Sequence, residues 1–473
     1  MYVEQLYTGC LAEAAYYIES NKEAVIIDPL RETAPYLELA EKRGAKIKYI
    51  FETHFHADFV SGHLDLARKT GATIVFGPNA RPEYSAYIAQ DDEMFHIGDV
   101  RIKVLHTPGH TMESSSFLLI DELGKDYAVF TGDTLFNGDV GRPDLAVKTD
   151  LSREDLAGHL YDSLQAKILT LDDEVIVYPG HGAGSQCGKN MNSETFTTIG
   201  AQRKFNYALQ PMTKQKFVDV VTDGLETPPA YFPENAKINK YGYQNIDEVM
   251  ARNLNPLDAE AFEQAAAEGA VILDTREPDS FEKGFVPGSL NIGLEGQYAV
   301  WVGTLLKIDQ PLVLVTEPGK EEESVLRLAR VGFENVKGYL KGGVQAWEKA
   351  GRQLQQVDTV DATLLPKLIE EGFTILDVRR NTEAQVEHVE GALNISLKDL
   401  EAQMNELDRE QKYVLHCAGG YRSMIASSIL KQHGFQQIKN VAGGFAKIKE
   451  AAELPLVAGK CPNQLRQEKM AAL

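Results

Sequence analysis

The chain has 473 residues, more than one hydrophobic core usually organises, so we expect three domains. It carries 69 acidic and 48 basic side chains, a formal charge of −21, and lacks a basic cluster suited to phosphate backbones, so we expect no nucleic-acid partner. Four cysteines without framework spacing indicate free thiols in a reducing compartment. The N-terminus lacks the pattern of a signal peptide, and no apolar run approaches the ~20 residues of a membrane span, so we expect a cytoplasmic protein without membrane contact.

Short apolar runs predict the buried strands of an α/β domain over residues 1–200. They lie at 24–28, 47–53, 72–77, 101–106, 127–133 and 174–180. His54, His110, Asp133 and His181 lie at or just after the ends of four of these runs. Because strand ends in layered α/β proteins build sites, we expect these four side chains to converge.

The imidazole and carboxylate groups near these strand ends suit zinc or iron. The candidate set is His54, His56, Asp58, His110, Asp133 and His181. Scattered histidines can also cap strands or form ordinary hydrogen bonds, but six groups in this arrangement favour a metal centre.

The chain then changes character and repeats itself. A helix is predicted near 213–224, and the proline-rich turns around it indicate a helical or irregular linker extension over 201–256. Beyond it, V-I-L-D-T-R at 271–276 matches T-I-L-D-V-R at 374–379, and K-G-G-V-Q-A-W at 341–347 matches A-G-G-F-A-K-I at 442–448. This spacing predicts two domains, 257–352 and 358–455, each a parallel sheet covered by helices, followed by a tail at 456–473.

The second repeat contains a cysteine in a tight loop. The strand 413–416 is followed by C-A-G-G-Y-R at 417–422, the cysteine loop, and then by a helix. Gly419 and Gly420 let backbone N–H groups turn inward, and together with the helix dipole these groups stabilise a thiolate. We therefore predict Cys417 as a nucleophile, Arg422 as a catalytic cation, and Gly419, Gly420 and Tyr421 as the substrate-binding backbone.

The first repeat lacks this nucleophile. Thr316 or Glu317 stands where the cysteine would be, and Glu321, Glu322 and Glu323 follow. Clustered carboxylates would repel an anionic substrate. We interpret 257–352 as a non-catalytic spacer or docking domain.

Four motifs resemble the metallo-β-lactamase superfamily over residues 1 to about 200. They are H-x-H-x-D at 54–58, T-P-G-H-T at 107–111, T-G-D-T at 131–134 and P-G-H-G at 179–182. The resemblance implies an αββα sandwich. In many hydrolases of that superfamily a histidine follows the aspartate and helps hold a second metal, whereas Phe59 stands here.

The departure at Phe59 favours one metal over two, and the N-terminal domain resembles the persulfide dioxygenase branch of the superfamily. This resemblance implies His54, His110 and Asp133 as the ligands. Two histidines and one carboxylate with open positions opposite are the arrangement of non-haem Fe(II) oxygenases, so we expect one Fe(II) per chain.

Other residues would then surround the iron. His56, Asp58 and His181 would orient ligands and bound water, or mark a vacant second metal site. The segment G-D-V-G-R-P-D at 138–144 also resembles that branch, so Arg142 is predicted to steady the substrate and Asp144 to hold Arg142; a surface salt bridge is the alternative. Cys187 is predicted at the site mouth, with a buried structural cysteine as the alternative.

Both repeats resemble rhodanese sulfurtransferases. Four residues separate Cys417 from Arg422, one fewer than in the C-x5-R loop of cysteine phosphatases, which favours sulfur transfer. The whole chain resembles bacterial fusions of a persulfide dioxygenase with an inactive and an active rhodanese domain. This resemblance implies that O₂ and iron oxidise a low-molecular-weight thiol persulfide to sulfite, and that Cys417 passes sulfane sulfur to sulfite to give thiosulfate.

Two other functions remain possible from the sequence. A thioester hydrolase of the glyoxalase II type would use the same fold with two metals activating water. Alternatively, the protein would be chiefly a sulfur carrier with a binding-only N-terminal domain. In each case we expect a homo-oligomer.

Overall fold

The computed structural model describes residues 1–145, 151–189, 191–225, 227–451 and 453–459. Cys461 and most of the predicted C-terminal tail lie outside these residues. The chain forms two compact units, the first comprising Met1–Ala251, Leu306–Ile308 and Leu326–Glu334, and the second comprising Arg252–Leu305, Asp309–Val325 and Asn335–Leu473. Each is described by itself.

The first unit contains two six-stranded sheets. The first sheet has the order β1-β2-β3-β4-β5-β6, comprising Tyr2–Thr8, Glu13–Ser20, Glu23–Ile27, Lys46–Glu52, Thr73–Phe76 and Tyr87–Ile88. The second has the order β14-β13-β10-β9-β8-β7. Its strands, from β7 to β10 and then β13 and β14, are Met94–Ile97, Val100–His106, Ser115–Ile120, Asp126–Gly132, Ile176–Pro179 and Thr197–Thr198. A hairpin of β11 (Leu135–Phe136) and β12 (Asp139–Val140) follows β10.

Alternating side chains explain how the sheets pack. Tyr16 and Ile18 of β2 point into the core between the sheets, where they meet Phe117 of β9, whereas Tyr17 faces the opposite way toward helices. The helices of this unit are α1 to α7: Ala34–Arg43, His63–Thr70, Arg153–Ser163, Ile199–Phe205, Lys214–Thr222, Phe232–Tyr241 and Ile246–Asn253. Those on the outer faces complete two further cores. The predicted αββα sandwich is confirmed.

The segment predicted as a linker extension is largely helical and packs within the first unit up to residue 251. Phe217 of α5 contacts Tyr161 of α3, with ring centroids 5.3 Å apart. Helix α6 is hydrogen-bonded to the loop that follows β4. Pro233 lies in the first turn of α6, where a proline does not interrupt the helix.

The second unit contains two five-stranded parallel sheets, of order β15-β19-β18-β16-β17 and β20-β25-β24-β21-β23. Strands β15 to β19 are Pro256–Leu257, Val271–Asp274, Leu290–Asn291, Leu312–Val315 and Val336–Leu340. Strands β20 to β26 are Asp358–Val360, Phe373–Asp377, Glu387–Val389, Leu393–Asn394, Lys412–His416, Ile438–Val441 and Leu456–Ala458, of which β22 and β26 form a separate pair. The strand order is the same in both sheets, as the sequence repeat predicts.

Ten α-helices accompany these sheets in the part of the chain that the structure describes. They are α8 to α17: Ala259–Ala267, Pro278–Phe281, Tyr298–Leu305, Glu321–Ala329, Gly343–Lys349, Leu365–Glu370, Asn381–Val386, Leu400–Gln403, Tyr421–Gln432 and Gly444–Ala451. Within the described residues, no helix is both long and apolar enough to cross a membrane.

Candidate metal centre and cysteine loop

Three predicted ligands meet between strand ends of the first unit. His54 follows β4 in one sheet, while His110 and Asp133 follow β8 and β10 in the other. Asp133 Oδ2 lies 3.4 Å from His110 Nε2 and 3.9 Å from His54 Nε2. All three are buried, and their ligand atoms lie within 4.8 Å of one another. The structure thus brings together the trio that the sequence singled out.

Hydrogen bonds orient both histidine rings. His54 Nδ1 lies 3.0 Å from Thr53 Oγ1, and the Thr53 hydroxyl donates to Asp28. His110 Nδ1 donates to the carbonyl oxygen of Arg142 at 2.9 Å. In both rings Nε2 is left to face Asp133. Metal-binding histidines are usually oriented in this way, by a hydrogen bond at the ring nitrogen that does not bind the metal. Burial, with the neighbouring His56 and His110, holds the pKa of His54 well below its ordinary value, which keeps the ring neutral for ligation.

The surroundings of Asp133 fit a cation. Its carboxylate is 2 % exposed, and neither oxygen has a hydrogen-bond partner among the described residues. A Cβ at Gly180 would lie 2.8 Å from Asp133 Oδ1, and one at Gly141 would lie 3.1 Å from His110 Nδ1. Only glycine leaves room for the ligands at these two positions. A buried carboxylate without hydrogen bonds is costly unless an ion compensates it, so the donor set fits a divalent metal.

His56 belongs to a different group. Its Nε2 lies 3.1 Å from Asp28 Oδ1 and 3.4 Å from Glu52 Oε2. Burial would lower the pKa of His56, but the charges and hydrogen bonds of Asp28 and Glu52 outweigh burial and hold that pKa well above its ordinary value. Burial would raise the pKa of Glu52, yet His63 and His56 lower it to about 2. His56 is therefore paired with these two carboxylates.

Asp58 and His181 lie beside the trio, together with Cys187. His181 Nε2 is 3.3 Å from Asp58 Oδ2 and 3.5 Å from Asp133 Oδ1. The ligand atoms of Asp58, His181 and Cys187 lie within 4.8 Å of one another, and all three residues are buried. Burial, with the charges of Asp58 and Asp133, raises the pKa of the Cys187 thiol well above its ordinary value. Cys187 is therefore inside the site rather than at its mouth.

Phe59 occupies the position after Asp58 where many superfamily hydrolases have a histidine. Its ring is fully buried and packs on His56, with ring centroids 4.3 Å apart. A phenyl ring offers no ligand atom. The second group of potential ligands is therefore completed by Cys187 rather than by a histidine.

Arg142 and Asp144 form a close pair. Arg142 Nε and Nη2 donate to the two carboxylate oxygens of Asp144 at 2.7 and 2.8 Å, and Nη1 donates to the carbonyl of Gln186. The Arg142 N–H donates to the carbonyl of Cys187. With its own carbonyl accepting from His110, Arg142 connects the metal trio to the loop that carries Cys187. Since Arg142 is buried, the surface salt bridge weighed from the sequence does not describe this pair.

Sequence reasoning missed Asn239, which supports the loop between His54 and Ser61, called the metal loop below. Asn239 lies on α6, and its amide donates to the carbonyls of His56 at 2.8 Å and Phe59 at 2.7 Å. Its Oδ1 accepts from the N–H of Ser61 at 2.9 Å. Asp28 and Glu52 were missed as well. Their positions at strand ends could have identified these carboxylates, whereas no local signal marks Asn239.

The cysteine loop lies between a strand and a helix, and one of its backbone N–H groups reaches the cysteine sulfur. Cys417 follows β24, is 2 % exposed, and its sulfur accepts from the N–H of Gly420 at 3.1 Å. Gly420 has φ of 109°, a conformation that favours glycine, and helix α16 begins at the next residue. A backbone N–H and a helix N-terminus thus face the sulfur, which favours a thiolate or a transferred anion there.

Arg422 lies in the first turn of α16 but is paired. Its Nη1 and Nη2 donate to the carboxylate of Glu383 on α14 at 2.6 and 2.8 Å. Burial would raise the pKa of Glu383, but Arg422 outweighs burial and lowers it to about 2. The guanidinium therefore borders the loop as half of an ion pair, and Glu383 is a residue that sequence reasoning missed.

The first repeat keeps the scaffold without the nucleophile. Asp274 and Arg276 form a buried ion pair at 2.6 Å, as Asp377 and Arg379 do in the second repeat. Thr316 and Glu317 follow β18, the strand equivalent to β24. No cysteine occurs in 257–352.

Models of two known protein families match parts of the chain. The model of the metallo-beta-lactamase superfamily matches residues 8–181, and the model of the rhodanese-like domain matches 258–350 and 361–451. A probable hydroxyacylglutathione hydrolase of Schizosaccharomyces pombe is 32% identical over 181 residues, which are 37% of this chain and 66% of that protein. The hydroxyacylglutathione hydrolase GloC of Haemophilus influenzae is 30% identical over 200 residues, covering 38% of this chain and 89% of that protein.

A solved structure extends the similarity. The crystal structure of a metallo-beta-lactamase from Staphylococcus aureus subsp. aureus COL has 29% sequence identity and a TM-score of 0.64, covering 72% of this chain and 98% of that chain. With the metal-ligand cluster and the cysteine loop, these similarities define an enzyme with a metal-binding domain and sulfurtransferase-like domains. The chain belongs to the metallo-beta-lactamase superfamily and carries two rhodanese-like domains after its N-terminal domain.

Proposed function

We propose that the protein oxidises low-molecular-weight thiol persulfides with O₂ to sulfite and transfers sulfane sulfur to sulfite, giving thiosulfate. The observation that carries the oxidation is the buried trio of His54, His110 and Asp133, a set of two histidines and one carboxylate that non-haem Fe(II) oxygenases use. Phe59, which cannot bind a metal, supports a single iron in the catalytic position.

The chain's own residues prepare the site for iron. A bound Fe(II) would supply redox chemistry and open coordination positions. The Nδ1 hydrogen bonds of His54 and His110 fix the rings, and Asp133 contributes the compensating negative charge. The burial of all three keeps bulk water from the reacting sulfur. Arg142 holds the Cys187 loop against this site through the Cys187 carbonyl.

Sulfur transfer would take place at Cys417. The thiolate attacks the outer sulfur of a persulfide, an S–S bond forms, and the original S–S bond breaks with release of the thiol. Sulfite then attacks the outer sulfur held on Cys417, thiosulfate leaves, and the thiolate is restored with the electron pair. The Gly420 N–H supports the negative charge that Cys417 carries before and after each transfer.

Metal analysis combined with O₂ uptake on a model alkyl persulfide tests the oxidation. We expect one iron per chain and O₂ uptake with sulfite and thiosulfate as the oxidised products, and His110→Ala and Asp133→Ala should remove both iron and O₂ uptake. Two tightly bound zinc ions in a protein that consumes no O₂ would refute the proposal.

Product analysis tests the transfer. In Cys417→Ser the hydroxyl cannot hold a transferable sulfur, so O₂ should still be consumed while sulfite accumulates in place of thiosulfate. Arg422→Ala should have the same effect less completely, since it removes only a charge beside the loop. Early time points limit the spontaneous reaction of sulfite with polysulfides. Thiosulfate formation by Cys417→Ser at the wild-type rate would exclude a catalytic part for the second repeat.

A thioester hydrolase is the second candidate, because two observations favour it. The relatives above are named hydroxyacylglutathione hydrolases, and Asp58, His181 and Cys187 lie close enough together to hold a second cation. Two metals would activate water for such hydrolysis. Thioester turnover without O₂ uptake, with two metals per chain, would select this function.

A further inference from the structure

The helix that follows Cys417 is covered on one face by the first repeat. Tyr421 Oη donates to the carbonyl of Gly293 at 2.7 Å, and Ser428 Oγ accepts from the N–H of Asn291 at 3.0 Å. Gln432 Nε2 donates to the carbonyl of Gly288 at 2.7 Å. These contacts lie within the second compact unit.

An apolar contact completes this face. Met424 is fully buried in a cluster with Phe281, Phe285 and Val357. Positions 421, 424, 428 and 432 are spaced by three, four and four residues, so they lie on one side of an α-helix. The segment 281–296 of the first repeat therefore covers α16 over its whole length.

The tightest approach is at the end nearest Cys417. A Cβ at Gly296 would lie 2.3 Å from Tyr421 Cζ and 2.4 Å from Tyr421 Cε2. Any larger residue at 296 would have to displace the tyrosine ring, which the hydrogen bond to Gly293 holds. The first repeat thus fixes Tyr421 by the space that Gly296 leaves and by the Gly293 carbonyl.

Tyr421 is directly bonded to the residue that supports the nucleophile. Gly420 donates its N–H to Cys417 Sγ, and with its φ of 109° it forms the turn that leads directly into α16 at Tyr421. Displacement of Tyr421 would therefore rotate or move this N–H. Because hydrogen bonds weaken steeply with angle, a small movement would weaken the support of the sulfur.

We propose that the first repeat, which has no nucleophile, positions the cysteine loop of the second repeat through Tyr421, Gly293 and Gly296. Tyr421 is then a positioning residue whose hydroxyl is engaged with the first repeat. This inference rests on the proposed sulfur transfer and adds a reason for a rhodanese-like repeat without a cysteine: it forms part of the structure that holds the active helix in place.

The test compares Gly296→Ala in two full-length, iron-loaded backgrounds, with a model alkyl persulfide and sulfite as substrates. In the wild-type background, Gly296→Ala should lower kcat for thiosulfate formation at least about tenfold. This is the loss expected when one hydrogen bond to a charged group, here the Cys417 thiolate, is removed. The KM for sulfite should change little, since no group that meets sulfite is removed. In the Tyr421→Ala background the ring is gone, so Gly296→Ala should change kcat by less than about twofold.

Gln432→Ala is the matched control. It removes another contact to the first repeat, but at the far end of α16, and should leave kcat within about twofold of wild type. O₂ uptake should be unchanged in every variant. An unaltered kcat in Gly296→Ala, or an equal loss in both backgrounds, would overturn the inference. If Gly296→Ala does not fold, Tyr421→Phe decides: loss of the Gly293 hydrogen bond should lower kcat, and a wild-type kcat would overturn the inference.

A wild-type protein without any thiosulfate formation would instead refute the proposed function. The two failures are therefore distinguishable.

Discussion

Replacement of Asn239 by alanine should damage the metal site from a distance in sequence. The side chain donates to the carbonyls of His56 and Phe59 and accepts from the N–H of Ser61, all buried backbone groups. A lost bond that leaves a buried partner costs about 1–3 kcal/mol, and water entering the space left by one amide offsets part of three such losses. We therefore expect the free energy of unfolding of the first unit to fall by about 3 kcal/mol.

The Asn239→Ala substitution should also lower the affinity for iron. The loop between His54 and Ser61 begins at the first ligand, and Asn239 holds its backbone rather than a ligand side chain. Iron affinity should therefore fall by about tenfold, the lower end of the range for loss of an outer contact to a ligand itself. Urea denaturation measures the first effect, and competition with a chelator of known affinity measures the second.

Asn235 is the matched control for Asn239. It lies one turn earlier on the same helix, is fully buried, and its side-chain amide has no hydrogen-bond partner among the described residues. Asn235→Ala removes the same atoms without breaking a hydrogen bond, so it should cost about 1 kcal/mol or less and leave iron affinity unchanged. Equal effects of the two substitutions on unfolding and iron binding would show that packing, not hydrogen bonding, supports the metal loop.

Three further predictions concern other residues. Cys187→Ser should lower dioxygenase turnover while iron content stays intact, and an unchanged rate with every persulfide tested would make Cys187 purely structural. Glu317→Cys should still show no transferase activity, because three glutamates follow it at the start of α11; activity near that of the second repeat would refute this. The Glu383–Arg422 pair should stabilise the protein above about pH 4.5, and its contribution should fade as the pH falls to about 2, since the pKa of Glu383 is lowered. Urea unfolding of Glu383→Gln should converge with wild type over that range.

The sequence identified residues whose chemistry and local position agree. His54, His110 and Asp133 follow apolar strands, and Cys417 lies between a strand and a helix. The pattern of apolar runs and the motifs were therefore enough to place these residues at the ends of strands. The structure brings the side chains of His54, His110 and Asp133 close together across the two sheets.

Residues that act through long-range contacts were not predictable in this way. Asn239 reaches Phe59 across 180 positions, and Glu383 reaches Arg422 across 39. Neither spacing corresponds to a helical or strand period. The proline-rich appearance of 227–235 also concealed α6, because Pro233 is compatible with the first turn of a helix and carries no sign of where that helix packs.

The position of the metal trio has a consequence for the sandwich itself. His54 belongs to a loop of one sheet, and His110 and Asp133 belong to loops of the other, so an ion held by all three acts as a cross-link between the two halves of the fold. An unfolded chain cannot present these groups together, and binding therefore adds directly to the free energy of unfolding, by about 4 kcal/mol at a free-ion concentration a thousand times Kd. In iron-poor conditions the same residues would leave an uncompensated carboxylate at the seam between the sheets, so the supply of metal would also set how long the folded protein persists.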